Sequence, residues 1–145
     1  MIHIYRIKNN SMFPTFSHND LILTKTNQKI RRRQIIIFKN PITLEIIIKR
    51  IVATGGDKVE ISDGSVYLNG KSLNEEYIKK LPKTKDSEEN GSWTIPQNHV
   101  FVLGDNRRVS THDSRDLGFI RLNDHVNHYW CKIWPIRNHK VISNF

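Results

Sequence analysis

The sequence predicts a mainly β protein, an antiparallel sheet core with a small inserted β lobe and little helix. Three observations lead there. Short runs rich in Ile, Val, Leu and Phe recur at strand length, turn-forming pairs separate them, and no stretch carries the periodicity of a long amphipathic helix.

In chain order the runs are Leu21 to Thr24, Ile35 to Phe38, Leu44 to Val52, Lys58 to Ile61, Val66 to Leu68 and Val100 to Leu103. Their β-branched and aromatic side chains suit a half-buried pleated surface. Asn40-Pro41, Gly55-Gly56-Asp57, Asp63-Gly64, Asn69-Gly70, Asn90-Gly91 and Gly104-Asp105-Asn106 mark turns between them. Val59-Glu60-Ile61 and Val66-Tyr67-Leu68, joined through Ser62-Asp63-Gly64-Ser65, predict a hairpin, with Asn69-Gly70 as the next tight turn. The best helical candidate is Asn74 to Lys80, with Asn74 as its cap. Lys79 to Ser92 is polar, mixed in charge and broken by Pro and Gly, so it reads as an exposed loop. Tyr129-Trp130 and Ile133-Trp134-Pro135 read as a strand. Residues 1–60 and 99–145 would form the core, and 61–98 the lobe.

A chain of 145 residues, 37% hydrophobic and 26% charged, suits one compact domain. Lys and Arg number 23 against 14 Asp and Glu, a net charge of +9 that fits nucleic acid, anionic lipid or solvent equally well. The Arg31-Arg32-Arg33 cluster comes with no aromatic stacking platform, so nucleic acid is not an expected partner and a solvated or headgroup-facing turn is. Cys131 is the only cysteine, which excludes an internal disulfide. His125, His128 and Cys131 are spaced for a metal only on a helix; on a strand, residues three apart point to opposite sides, so no metal is expected. No run approaches the roughly 18 apolar residues that span a bilayer, and the first ten residues lack the apolar centre of a secretory signal.

Chemistry concentrates in Ser11, within Ser11-Met12-Phe13-Pro14-Thr15, and in Lys49, which closes the run Ile46-Ile47-Ile48. A serine hydroxyl needs a group to take its proton, and a lysine serves only when desolvation lowers its pKa. The isoleucines would supply that dry wall. Pairing residues this far apart in sequence requires adjacent strands.

Three ordered segments carry a resemblance. They are Tyr5-Arg6-Ile7-Lys8-Asn9-Asn10-Ser11-Met12-Phe13-Pro14-Thr15-Phe16, then Ile48-Lys49-Arg50-Ile51-Val52-Ala53-Thr54-Gly55-Gly56-Asp57-Lys58-Val59-Glu60, and finally Gly104-Asp105-Asn106-Arg107 with Asp113-Ser114-Arg115 and Gly118-Phe119. Together they resemble the nucleophile, lysine and last boxes of the bacterial type I signal peptidases, serine-lysine endopeptidases that cut signal sequences from exported proteins. The resemblance implies Ser11 as nucleophile and Lys49 as base. The Ser11 N–H would donate to the oxyanion, with the amide of Asn9 as a second donor where some members place a serine. Ser110 or Thr111 would supply the hydroxyl that holds the lysine, Ser110 slightly favoured. Asp113, Arg115, Asp105 and Arg107 would brace the active-site loop.

By position, Tyr5, Ile7, Met12, Phe16, Ile47 and Ile48 would wall the pockets that accept small residues one and three before the cut, with the substrate extended beside the active strand. Substrates would be signal-peptide-bearing preproteins, at the outer face of the bacterial cytoplasmic membrane, with no cofactor. Members normally carry transmembrane segments ahead of the nucleophile, whereas only ten residues precede Ser11 here. The expectation is a truncated catalytic domain, or a soluble relative meeting membranes through an apolar edge near Phe13 and Phe16. Two rivals share the fold: a noncatalytic helper of pilus or surface-protein assembly, and a self-cleaving regulator. The first commonly lacks the nucleophile or base, and the second is usually fused to a DNA-binding domain.

Overall fold

The protein is described from a computed structural model, which covers residues 1–26, 28–79, 90–122 and 126–135. Eleven strands are assigned among these residues: β1 (Ile2–Arg6), β2 (Leu21–Lys25), β3 (Ile35–Lys39), β4 (Ile46–Thr54), β5 (Lys58–Ser62), β6 (Ser65–Leu68), β7 (Lys71–Ser72), β8 (Gly91–Thr94), β9 (His99–Leu103), β10 (Ile120–Arg121) and β11 (Asn127–Trp134). They build a seven-stranded sheet in the order β1-β2-β11-β3-β4-β9-β10 and a four-stranded sheet in the order β7-β6-β5-β8. Every pairing is antiparallel.

The turns form where positive φ is tolerated. Asp63 and Gly64 lie at φ 48° and 69°, closing the β5–β6 hairpin with Ser62 opposite Ser65. Asn69 and Gly70 do the same for β6–β7 at 52° and 79°.

Four differences from the sequence reading have local causes. The strand expected from Leu44 starts at Ile46, because Asn40 Oδ1 accepts from the amides of Ile42 and Thr43 and folds 40–44 into a turn with Leu44 at φ 61°. The helix expected over Asn74 to Lys80 is a single 3-10 turn, Glu76–Ile78; Asn74 does not cap it, its amide reaching the Glu76 carboxylate at 3.4 Å instead. Within the segment read as loop, Gly91 and Ser92 belong to β8 and pair with Ile61 and Glu60, while 80–89 lie outside the described residues. The α-helix among the described residues is a turn the sequence reading missed, α1 (Ser114–Leu117), with Asp113 as its N-cap accepting from Arg115 N.

The second sheet takes in Lys58 to Glu60 as well as the expected lobe. Val59, Ile61, Val66 and Ile95 pack with Val52, Ala53, Phe101 and Leu103 of the first sheet, which joins the two. Elsewhere the large sheet carries one cluster around Ile36, Phe38, Ile47 and Ile51, and another around Ile7, Met12, Phe16, Ile22 and Ile37.

The feature that positions the site is the pairing of β4. Ile46 to Arg50 pair with β3, but pairing with β9 covers only Arg50 to Thr54. Ile46 to Lys49 therefore have a free edge among the described residues. β1 is the outermost strand, and four antiparallel steps separate it from β4, so the two run in the same direction. Tyr5 of β1 and Ile48 of β4 pack against the same apolar cluster, which includes Ile7.

Candidate active site

Ser11 lies in the turn that follows β1, and its carbonyl accepts from Asn106 N at 2.9 Å. Lys49 ends the free-edged half of β4, and Lys49 Nζ donates to Ser11 Oγ at 3.1 Å. Both residues are buried, Lys49 only 2% exposed. Burial away from water disfavours the ammonium and lowers the Lys49 pKa to about 8; Arg115 adds to the fall, while Asp113, Asp105 and Asp116 resist it.

Asn9 also faces the serine. Its Oδ1 accepts from both Ser11 N, at 3.1 Å, and Ser11 Oγ, at 2.8 Å. The sequence reading had its amide donating; here its carbonyl end is turned toward Ser11, because an N–H and an O–H both need an acceptor.

The loop after β9 closes against the Ser11 turn through Asn106, organised by the buried Asp113 carboxylate. It accepts from Gly104 N (3.1 Å), Ser110 Oγ (2.8 Å), Arg115 Nε (2.9 Å) and an Arg115 terminal nitrogen (2.8 Å). Burial pushes its pKa up, but Arg115 and these hydrogen bonds outweigh that and hold it below the ordinary carboxylate range. Gly104 allows the close approach: a Cβ there would lie 2.0 Å from Ser110 Oγ and 2.8 Å from the Ser11 carbonyl oxygen. Ser110 is buried in this network, whereas Thr111 is exposed, its hydroxyl 3.1 Å from His112 Nδ1.

Asp105 and Arg107 do not pair with each other. Asp105 receives Arg50 through Nε at 2.8 Å and a terminal nitrogen at 2.6 Å, and Arg107 pairs with Glu75 while its Nε donates to Gly104 O at 2.8 Å. Arg50 also donates to Thr15 Oγ at 3.3 Å and stacks over the Tyr77 ring at 4.0 Å. The sequence reading missed Arg50, Glu75 and Tyr77. Strand alternation was the available signal for Arg50, since the residue after Lys49 must point to the opposite face, where a buried cation needs an acid.

A serine in a turn after β1 thus meets a buried lysine of β4 beside the loop that follows β9. The sequence model of the family described as signal peptidase, peptidase S26, matches residues 1–134. The chain belongs to that family. It is 36% identical over 140 residues to a probable signal peptidase I-2 of Synechocystis sp., covering 90% of this chain and 62% of that one. With signal peptidase I of Bacillus caldolyticus it shares 33% over 147 residues, 92% of this chain and 80% of the other. The crystal structure of a signal peptidase I from Enterococcus faecalis superposes with a TM-score of 0.61 at 31% identity, over 72% of this chain and 98% of that one. Among these S26 relatives, the Synechocystis protein extends well beyond the chain described here.

Of the residues expected to wall a substrate pocket, Tyr5 and Ile48 are partly buried and pack against one apolar cluster. Ile7, Met12 and Phe16 are members of that cluster at 3%, 1% and 1% exposure, so they are core rather than an open wall. Ile47 alternates to the other face of β4 and packs with Phe38 and Ile51, away from Tyr5. The apolar edge expected near Phe13 and Phe16 is reduced to Phe13, which is exposed. No helix among the described residues is long and apolar enough to cross a membrane, and no group of metal-ligating side chains occurs among them; His125 lies outside.

Proposed function

We propose that this S26 family member is a serine endopeptidase that removes N-terminal signal peptides from exported preproteins, cutting after small residues with Ser11 and Lys49. The observation that carries the reading is the 3.1 Å contact between a serine hydroxyl and a buried lysine whose pKa is about 8. At neutral pH a useful fraction of such an amine is free base.

The substrate enters as an extended strand between the free edges of β1 and β4 and runs toward the dyad, its backbone completing both edges. Small side chains before the cut face Tyr5 and Ile48, the partly buried members of the set. Neutral Lys49 accepts the Ser11 Oγ proton as Oγ bonds to the scissile carbonyl carbon. For this the hydroxyl leaves Asn9 Oδ1 and turns to Nζ. The carbonyl oxygen, now an oxyanion, takes over the Ser11 N–H. Rotation of the Asn9 side chain brings Nδ2 to the same oxygen as the second donor. Collapse of the tetrahedral species breaks the C–N bond, and Lys49 passes its proton to the leaving amine. Water, deprotonated by the same lysine, then hydrolyses the ester. The Asp113 network fixes the buried Ser110, whose hydroxyl donates to Asp113 at 2.8 Å and keeps its oxygen free to accept, so Ser110 rather than the exposed Thr111 is the hydroxyl assigned to orient the amine.

The resemblance supports a reaction at the outer face of the bacterial cytoplasmic membrane. A peptide containing Ala-x-Ala tests it: wild type cuts after the second alanine, while Ser11→Ala and Lys49→Met do not. Cleavage that survives in either variant would overturn the dyad.

A further inference from the structure

Away from the dyad, a cavity of about 390 Å³ opens between the end of β3, the β3–β4 turn and β10. That is within the range of small-ligand sites, about 300–1,000 Å³. Its walls are apolar, supplied by Phe38, Leu44, Ile120 and Val126. The charged groups that line it among the described residues are of one sign. Lys39 and Arg121 are both exposed cations, and no acidic side chain lines the cavity among the described residues. Asn40 is fully buried; its Oδ1 is used by two backbone amides, but its Nδ2 has no hydrogen-bond partner among the described residues. A buried donor without an acceptor is unfavourable, and a ligand oxygen would satisfy it.

The surface beside the cavity adds a second indication. The turn that frames it displays Ile42, Leu44 and Ile46 at 78%, 70% and 49% exposure. Neighbouring side chains this apolar and this exposed mark a surface that is covered in use. We propose that the cavity is a lipid site, taking an acyl chain of an anionic phospholipid whose phosphate lies between Lys39 and Arg121, with the turn 40–46 immersed in the bilayer interface. The cations match an anionic headgroup, the walls match a hydrocarbon chain, and the turn matches the interface.

The test uses vesicles of phosphatidylglycerol carrying a diazirine in the acyl chain. Irradiated wild type acquires label in peptides spanning 38–44 and 119–122, and phosphatidylcholine vesicles give little. The double variant Lys39→Ala/Arg121→Ala loses labelling about tenfold. Lys29→Ala/Arg31→Ala, which removes the same charge beyond the opposite end of β3, loses less than about twofold; the comparison separates the site from the general attraction of a chain of net charge +9. Equal loss in the two double variants, label confined to the exposed Ile2, Ile4, Trp130 and Trp134, or displacement of the label by an Ala-x-Ala peptide would each overturn the proposal. None of these readouts depends on cleavage.

Discussion

The Lys49 pKa sets the shape of the pH–rate profile, which makes pH the sharpest perturbation of the dyad. With a value of about 8, the free-base fraction is about 1% at pH 6 and about half at pH 8, so kcat/KM rises about 50-fold over that interval. From pH 8 to 10 it rises less than about twofold. An ordinary lysine, with the reference value of 10.5, behaves in the opposite way: the same upper interval brings an increase of about 75-fold. The shift, 10.5 minus 8, corresponds to about 3 kcal/mol of disfavoured charge, arising first from burial. The assay is cleavage of a fluorogenic Ala-x-Ala peptide at substrate concentrations well below KM, in buffers of constant ionic strength. A steep rise continuing above pH 8 would refute the claim that the site desolvates its base.

The same shift has a stability consequence. The folded pKa lies below the unfolded one, so between about 8 and 10.5 the unfolded chain binds more protons and stability rises with pH. Lys49→Met should therefore be more stable than wild type at pH 7 by up to about 3 kcal/mol, an advantage that shrinks toward pH 10 in urea titrations. Arg50→Met strands the fully buried Asp105 carboxylate and should cost about 3–5 kcal/mol by the same measurement. Asn9→Ala should lower kcat about 10²-fold or more with little change in KM, since a donor to the oxyanion acts in the transition state; a rate increase would mean that the Asn9 carbonyl merely blocks the Ser11 N–H. Ser110→Ala should slow cleavage more than Thr111→Ala, whose side chain is exposed, and the reverse order would reassign the lysine-orienting hydroxyl.

Much of the fold was legible because its signals are local. The runs 21–24, 35–38, 58–61, 66–68 and 100–103 fall in β2, β3, β5, β6 and β9, and Asp63-Gly64 and Asn69-Gly70 turn where their backbone preferences say they should. β1 was hidden by His3 and Arg6, which interrupt its apolar run and which an outermost strand tolerates because neither of its faces is fully buried. α1 was hidden by its brevity: four residues have no periodicity, and only the Asp113 cap announces them.

At the site, residue types pointed to Ser11 and Lys49, but partners were harder to read. Which acid meets which base is decided by strand faces and loop closure. Asp105 meets Arg50 across 55 positions in sequence, and Arg107 meets Glu75 across 32. Likewise Ile47 and Ile48 are equivalent in sequence and opposite in space, because β4 turns one toward each face.

The central claim is that Ser11 is the nucleophile of a peptide-bond hydrolysis, and the most direct measurement traps it. A peptide aldehyde ending in Ala-x-Ala, or a slowly turned-over ester of the same sequence, is incubated with the protein and the adduct is located by mass spectrometry. The account predicts a mass increase on the peptide containing Ser11 in wild type, growing with pH through a midpoint near 8 and absent from Ser11→Ala. An adduct on any other residue, or one that forms equally in Ser11→Ala, would contradict it.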